Sequence, residues 1–404
     1  MSDIHAPNPC LVIVDSSAIL KSCFEGYPNP LASSYKGKVM EVQALHGYIH
    51  RTMRMYEMLN FDCLVHVMDP PGGSHYRYSI YPEYKAGRKE EDPTLAAQKA
   101  LLQRTLEAFG ERVILKRGAE ADDVISTLAN KASAMGYQVL IVSPDKDLMQ
   151  MVSNEKNIFL AKYVDDPATN RKTYSFYEET QVEELFGVRA DQVADYLAIV
   201  GDSADNIPGI HKAGPKTAAG WLNKYGDLLT LMTHANEIGG KIGDNLREAL
   251  PHLPLYQKLT TALSDLEGVE IPERPAYDEE KALFFKEVLR WPDDRPLRFE
   301  IPGDYAPEPT ASYSSPSQAV VEPAELDMPA HDPLTQPAPG AGLPNTLGQL
   351  FEDSPFGDEP FGNEPFGGSS VEITREVTVT ETLTVSAPAP APSPRPGMRP
   401  GRIR

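Results

Sequence analysis

Three short apolar runs each lead into an aspartate: Cys10 to Val14 into Asp15, Phe61 to Met68 into Asp69, and Tyr137 to Val142 toward Asp145. Continuous runs of this length read as strands buried on both faces, the pattern of a parallel sheet. Helical periodicity separates them, over Val39 to Leu59, Leu95 to Phe109 and Asp122 to Met135. Alternation of this kind predicts an α/β domain with a mainly parallel central sheet flanked by helices. The ligand crevice of such a sheet lies beyond the carboxyl ends of its strands. Asp15, Asp69, Asp145 and Asp147 all fall at that edge.

Other acids join them. Glu120-Ala121-Asp122-Asp123 opens a helix, where free backbone N–H groups and the macrodipole favour negative charge. Asp122 and Asp123 stand about 100° apart around the axis and can serve two different ions. Asp202 and Asp205 share one face if their segment is helical. Nine carboxylates thus gather at five places, and so many ionised groups in one pocket require cations at neutral pH. The pattern predicts a polynuclear Mg²⁺ site. Any single pair reads as readily as a cap or a solvated surface acid; five coincident pieces favour the site.

Two segments suit nucleic acid. After a helix ending at Gly201, a glycine-bearing turn runs through Gly209, Lys212 and Gly214 before periodicity resumes at Thr217. In such a helix-hairpin-helix layout, glycines let backbone N–H groups approach phosphates while a helix start and Lys216 add positive potential. An ordinary Gly-Pro loop between core helices is the plainer alternative. Between Asp69 and Leu95, tyrosines alternate with cations, from Tyr76-Arg77-Tyr78 to Tyr84-Lys85 and Arg88. Rings that stack on bases beside cations that neutralise phosphates suit a single strand. A solvated amphipathic surface has the same composition.

Composition divides the chain near residue 300. Residues 301–404 hold 19 of the 37 prolines and 14 acids against 5 arginines, too little apolar surface to offset ordering, so a disordered tail is expected. Of the formal net charge of -20, this tail carries -9 and the first 300 residues -11, much of it in the nine acids. Local basic clusters can therefore still hold DNA. Pro-Phe-Gly recurs at Phe356, Phe361 and Phe366, like a multivalent docking peptide. Val371 to Val385 alternates as a strand would, and four arginines close the chain. A tether to a replication partner, such as a single-strand binding protein or polymerase, is one reading; a solubilising tail is the other. Cys10, Cys23 and Cys63 have no metal-ligand spacing and read as buried apolar residues in a reducing compartment. Without a signal peptide or a long apolar run, the chain is expected in the cytoplasm, with no membrane partner.

The motifs Val14-Asp15, Asp69 with Arg77 and Tyr84-Lys85-Ala86-Gly87-Arg88, Glu120-Ala121-Asp122-Asp123, Asp145-Lys146-Asp147, Gly201-Asp202 to Gly209, and Gly214-Pro215-Lys216-Thr217-Ala218 occur in this order. From about Leu11 to Val269 the chain resembles the 5′-nuclease family: the 5′-3′ exonuclease domain of bacterial DNA polymerase I, phage 5′-exonucleases and, more distantly, flap endonucleases. The resemblance implies a PIN-like catalytic domain over 8–185 with a helical arch at about 70–95, and a helix-hairpin-helix subdomain over 186–300. It implies a Mg²⁺ nuclease, with Mn²⁺ able to substitute, acting at DNA 5′ ends, flaps and junctions or on RNA primers, as a monomer. Asp15, Asp69, Glu120, Asp122 and Asp145 would surround the first ion; Asp123, Asp147, Asp202 and Asp205 the second. Lys85 and Arg88 would steer the scissile phosphate and stabilise transition-state charge. Arg77, Tyr84, Gly209, Lys212, Gly214, Lys216 and Thr217 would contact DNA, with K⁺ a candidate at hairpin carbonyls. Lys212 and Ala213 depart from the family's usual Gly-x-Gly hairpin. A phage enzyme and a small bacterial paralogue both fit.

Rival classes fit less well. A haloacid-dehalogenase-type phosphatase needs an acid where Ser17 stands. A small PIN-type ribonuclease would lack the Gly209 to Lys216 hairpin, and a non-catalytic DNA-binding module has little use for nine converging acids.

Overall fold

The computed structural model describes residues 8–26, 31–35, 38–70 and 73–291. The tail, with its Pro-Phe-Gly repeats, alternating segment and terminal arginines, lies outside the described residues. Six strands form the central sheet: β1 (Cys10–Asp15), β4 (Cys63–Met68), β5 (Arg112–Leu115), β6 (Gln138–Val142), β7 (Ile158–Asp166) and β8 (Arg171–Tyr177), in the order β5-β4-β1-β6-β7-β8. All neighbours pair in parallel except β7 with β8, which form an antiparallel hairpin. The chain builds outward from β1 to β4 and β5, then returns to lay β6 on the other side of β1. The crevice of the switch therefore opens at the carboxyl ends of β1 and β6.

Alternate strand residues feed two apolar layers, which is why the runs are continuous. Leu11, Ile13, Val65, Val67, Val139 and Ile141 point to one core. That core includes α5 (Ala121–Ala134) and the C-terminal helices α6 (Glu179–Phe186), α7 (Val193–Val200), α8 (Pro215–Tyr225), α9 (Leu228–Thr233), α10 (Gly240–Ala249) and α11 (Leu253–Thr260). Val12, Val14, Leu64, Met68, Leu140 and Val142 point to the other. There they meet α1 (Ser16–Gly26), α2 (Gln43–Met58), α4 (Pro93–Ala108) and, from far along the chain, α12 (Glu279–Val288). The expected helical-hairpin subdomain thus shares its core with the sheet, and its closing helix belongs to the opposite layer.

Several expectations change. The helix expected from Val39 begins only at Gln43, because Lys38–Glu41 forms β3, paired antiparallel with β2 (Ala32–Tyr35). Among the described residues of the arch region, α3 (His75–Ile80) is helical and turns follow before α4. Asp202 and Asp205 do not share a helix face: Asp202 and Ile207 exchange backbone hydrogen bonds across a tight turn.

That turn packs backbone on backbone. Gly209 has φ of +65°, and a Cβ there would lie 2.5 Å from the amide nitrogen of Gly201, itself at +84°. Only glycine tolerates both demands. Gly209→Ala is expected to lower unfolding stability by about 2–4 kcal/mol; urea titration measures it, and a change within error removes the packing argument.

Candidate functional site

Asp15 ends β1, is 3% exposed, and caps α1 by accepting from Ala18 N at 3.1 Å. Its Oδ2 accepts from Ser143 Oγ at 2.6 Å, and the same hydroxyl accepts from Asp145 N at 2.9 Å. One buried serine therefore fixes the acids of two adjacent strands. Asp69 follows β4; its amide donates to Ser17 Oγ, and its Oδ1 accepts from Ala121 N at the start of α5, both at 2.8 Å. Asp147 N donates to Asp145 Oδ1 at 2.9 Å. Glu120, Asp122, Asp147, Asp202 and Asp205 line one cleft, together with Arg77 and Tyr84.

Crowding shows in the protonation equilibria. Burial, then the nearby charges of Asp69 and Asp145, outweighs the Ser143 hydrogen bond and raises the Asp15 carboxyl from 3.8 to about 7. Asp147 is also raised to about 7, by burial and then by Asp145 and Asp202. Asp122 is pushed well up by burial and by Asp15, Asp145, Asp69 and Glu120. Acids from 190 positions of sequence thus repel one another at a single edge.

Asp123 stands apart from this group. It is fully buried, and both its oxygens are held by Arg77, at 2.7 and 2.8 Å, with Leu263 N donating at 2.9 Å. Arg77, 3% exposed, also donates to Glu120, Leu259 O and Thr261 O. Asp123, expected to ligate an ion, and Arg77, expected to touch DNA, are thus paired with each other here, with Arg77 also at the wall of the cleft, and together they pin the start of α5 to the end of α11. Tyr84, expected to contact DNA, is 2% exposed at the wall of the same cleft, with its hydroxyl 3.1 and 2.8 Å from Glu120 and Asp205. Lys85 pairs with Glu120, and Arg88 Nη2 lies 2.5 Å from Asp205 Oδ1.

The hairpin presents Lys212 and Lys216 exposed, with Gly214 and Thr217 half-buried at the start of α8. Lys212 itself takes the left-handed conformation at φ of +64°, which a glycine would adopt without strain. Five residues were missed in the sequence. Ser17 and Ser143 orient acids, Asn206 and Tyr81 bind the Lys85 turn, and Lys162 lies close enough to Asp145 and Asp147 to feel their charge. Ser143 had a local signal, a small hydroxyl two residues before Asp145, and Tyr81 and Asn206 lay within segments already singled out; Ser17 and Lys162 had none.

The family description "5'-3' exonuclease, N-terminal resolvase-like domain" matches residues 10–187, and "5'-3' exonuclease, C-terminal SAM fold" matches 188–281. The 5'-3' exonuclease of Aquifex aeolicus is 33% identical over 263 residues, covering 65% of this chain and 84% of that protein. The chain belongs to the 5′-3′ exonuclease family. DNA polymerase I of Mycobacterium bovis is 31% identical over 268 residues, 66% of this chain but only 28% of the polymerase. A solved structure described as divalent metal ions (zinc) bound to T5 5'-exonuclease aligns at a TM-score of 0.48 and 21% identity, over 63% of this chain and 89% of that one.

Metal ligation by this member of the exonuclease family can be tested against its donor set. Among the described residues, no three His, Cys, Asp or Glu side chains are placed to hold one ion, and Glu120, Asp123 and Asp205 pair with Arg77, Lys85 and Arg88. The chemistry still fits a hard divalent ion. Every candidate donor is a carboxylate oxygen, and Asp147 Oδ1 is buried without a partner.

Two outcomes are expected. Arg77→Ala leaves Asp123 buried and unpaired, at a cost of about 3–5 kcal/mol in unfolding free energy; unchanged stability with weakened DNA binding would restore Arg77 as a DNA contact. Asp15 and Asp147 bind protons more tightly folded than unfolded, so their contribution is full below pH 3.8 and lost as pH rises through about 7. The ion-free protein should melt lower at about pH 8 than at about pH 5, and Mg²⁺ should raise the melting temperature more at the higher pH. Calorimetry with and without chelator checks both signs.

Proposed function

We propose that the protein is a divalent-metal-dependent, structure-specific 5′-3′ exonuclease and flap endonuclease that hydrolyses phosphodiester bonds near DNA 5′ ends, flaps and junctions. The observation that carries this reading is the meeting of eight repelling carboxylates at the switch of a parallel sheet, beside a glycine hairpin with exposed lysines. Asp15, Asp69, Glu120, Asp122 and Asp145 would hold one ion, and Asp147, Asp202 and Asp205 a second, joined by Asp123 where the ion displaces Arg77. All-oxygen ligation favours Mg²⁺, with Mn²⁺ as a substitute. Bound ions would supply an activated water and neutralise charge at the leaving oxygen.

The chain's own groups do the rest. Lys85 and Arg88 would bind the scissile phosphate and stabilise charge as it develops. Lys212, Lys216, Thr217 and the backbone at Gly209 and Gly214 would hold the duplex through phosphates, so binding would not follow base sequence. The hairpin carbonyls are a candidate K⁺ site. Ser143 would keep Asp15 and Asp145 oriented. Removal of replication flaps or RNA primers by a monomer in a bacterial or phage-infected cytoplasm is the setting these features suit, with the acidic tail as a tether to a single-strand binding protein or polymerase. No helix among the described residues is long and apolar enough to cross a membrane.

Asp145→Ala and Asp69→Ala should each lower cleavage of an end-labelled 5′-flap by about a hundredfold or more while flap binding persists. Cleavage at the parental rate in either variant rules the assignment out.

A further inference from the structure

The turn carrying Lys85 and Arg88 is fastened across the site. Tyr81 Oη donates to Asn206 O at 3.1 Å, Asn206 Nδ2 donates to Glu83 O at 2.8 Å, and Lys85 N donates to Asp205 O at 3.1 Å. Arg88 Nε donates to Ala204 O at 3.2 Å. These contacts deliver the two cations onto acids of the cleft. Both oxygens of Asp205 are taken, by Tyr84 and Arg88, and both of Glu120, by Lys85 and by Tyr84 with Arg77. Lys85 sits at φ of +59°, a left-handed conformation that costs a non-glycine residue free energy and persists only where its surroundings impose it.

We propose that residues 81–88 form an ion-displaceable cover, in which Lys85 and Arg88 are tethered counter-ions that hold Glu120 and Asp205 until divalent cations take those oxygens. This rests on the reading that the carboxylates bind such cations. The same two side chains cannot neutralise the acids and meet a phosphate at once. Ion loading therefore releases the phosphate-binding cations when they are needed, and in the ion-free site they stay on Glu120 and Asp205. Ions that bind the open form alone have an apparent affinity reduced by the fraction of open molecules. By reciprocity they open the cover by the same factor. Tyr81 and Asn206 act through Lys85 and Arg88 and are positioning residues.

Tyr81→Phe and Asn206→Gly each remove one fastening and leave every acid and both cations in place; glycine accepts the +58° φ at position 206. On the full chain, Mn²⁺ binding read by electron paramagnetic resonance should tighten about two- to tenfold in each variant, the weight of one net hydrogen bond. Hydrogen exchange of amides 81–92 should quicken when Mn²⁺ is added to the parent protein, and should already be quicker in the ion-free variants. Mn²⁺ binding with exchange at 81–92 unchanged or slowed, or with no tightening in either variant, overturns the cover while leaving the metal site standing. A parent protein that binds no Mn²⁺ overturns both.

Discussion

The excess of negative charge at one edge of the sheet governs the rest of the structure. Carboxylates from β1, β4, β6, the start of α5 and the 202–207 turn are forced together, and burial raises the cost of ionising them side by side. Three answers to that cost are visible. Asp15 and Asp147 hold their protons to about pH 7, hydroxyl and amide donors satisfy individual oxygens, and Arg77, Lys85 and Arg88 bring positive charge. Each answer leaves the site short of full compensation, which gives divalent ions a reason to bind.

The three cations serve different ends. Arg77 is almost wholly buried and joins segments about 180 residues apart in sequence, so its charge belongs to the fold. Lys85 and Arg88 lie on a turn that carries few buried apolar groups beyond Tyr84, so little besides polar contacts keeps them in place. A structural cation and two exchangeable ones therefore sit on adjoining acids. The division follows from how far each is desolvated.

Strands β1, β4 and β6 were legible because burial on both faces leaves an unbroken apolar run, and their terminal acids were legible from position alone. The β2-β3 and β7-β8 hairpins were not, because Ala32–Tyr35 and Arg171–Tyr177 carry polar residues and take their conformation from pairing partners. The helical face assigned to Asp202 and Asp205 failed for a related reason. Their turn is set by Gly201 packing against the backbone of Ile207 and Pro208, a contact that residue spacing does not encode.

By itself the sequence determined which residues were available as oxygen donors and cations, and that the acids would gather at the carboxyl ends of parallel strands, since period and strand termini are local properties. Only the tertiary structure decided which acid faces which cation. Asp122 and Asp123 are neighbours of like chemistry, yet one enters the cleft and the other disappears beneath Arg77. A helix turns each residue about 100° from the last, and what waits at each angle is supplied by other elements of the fold.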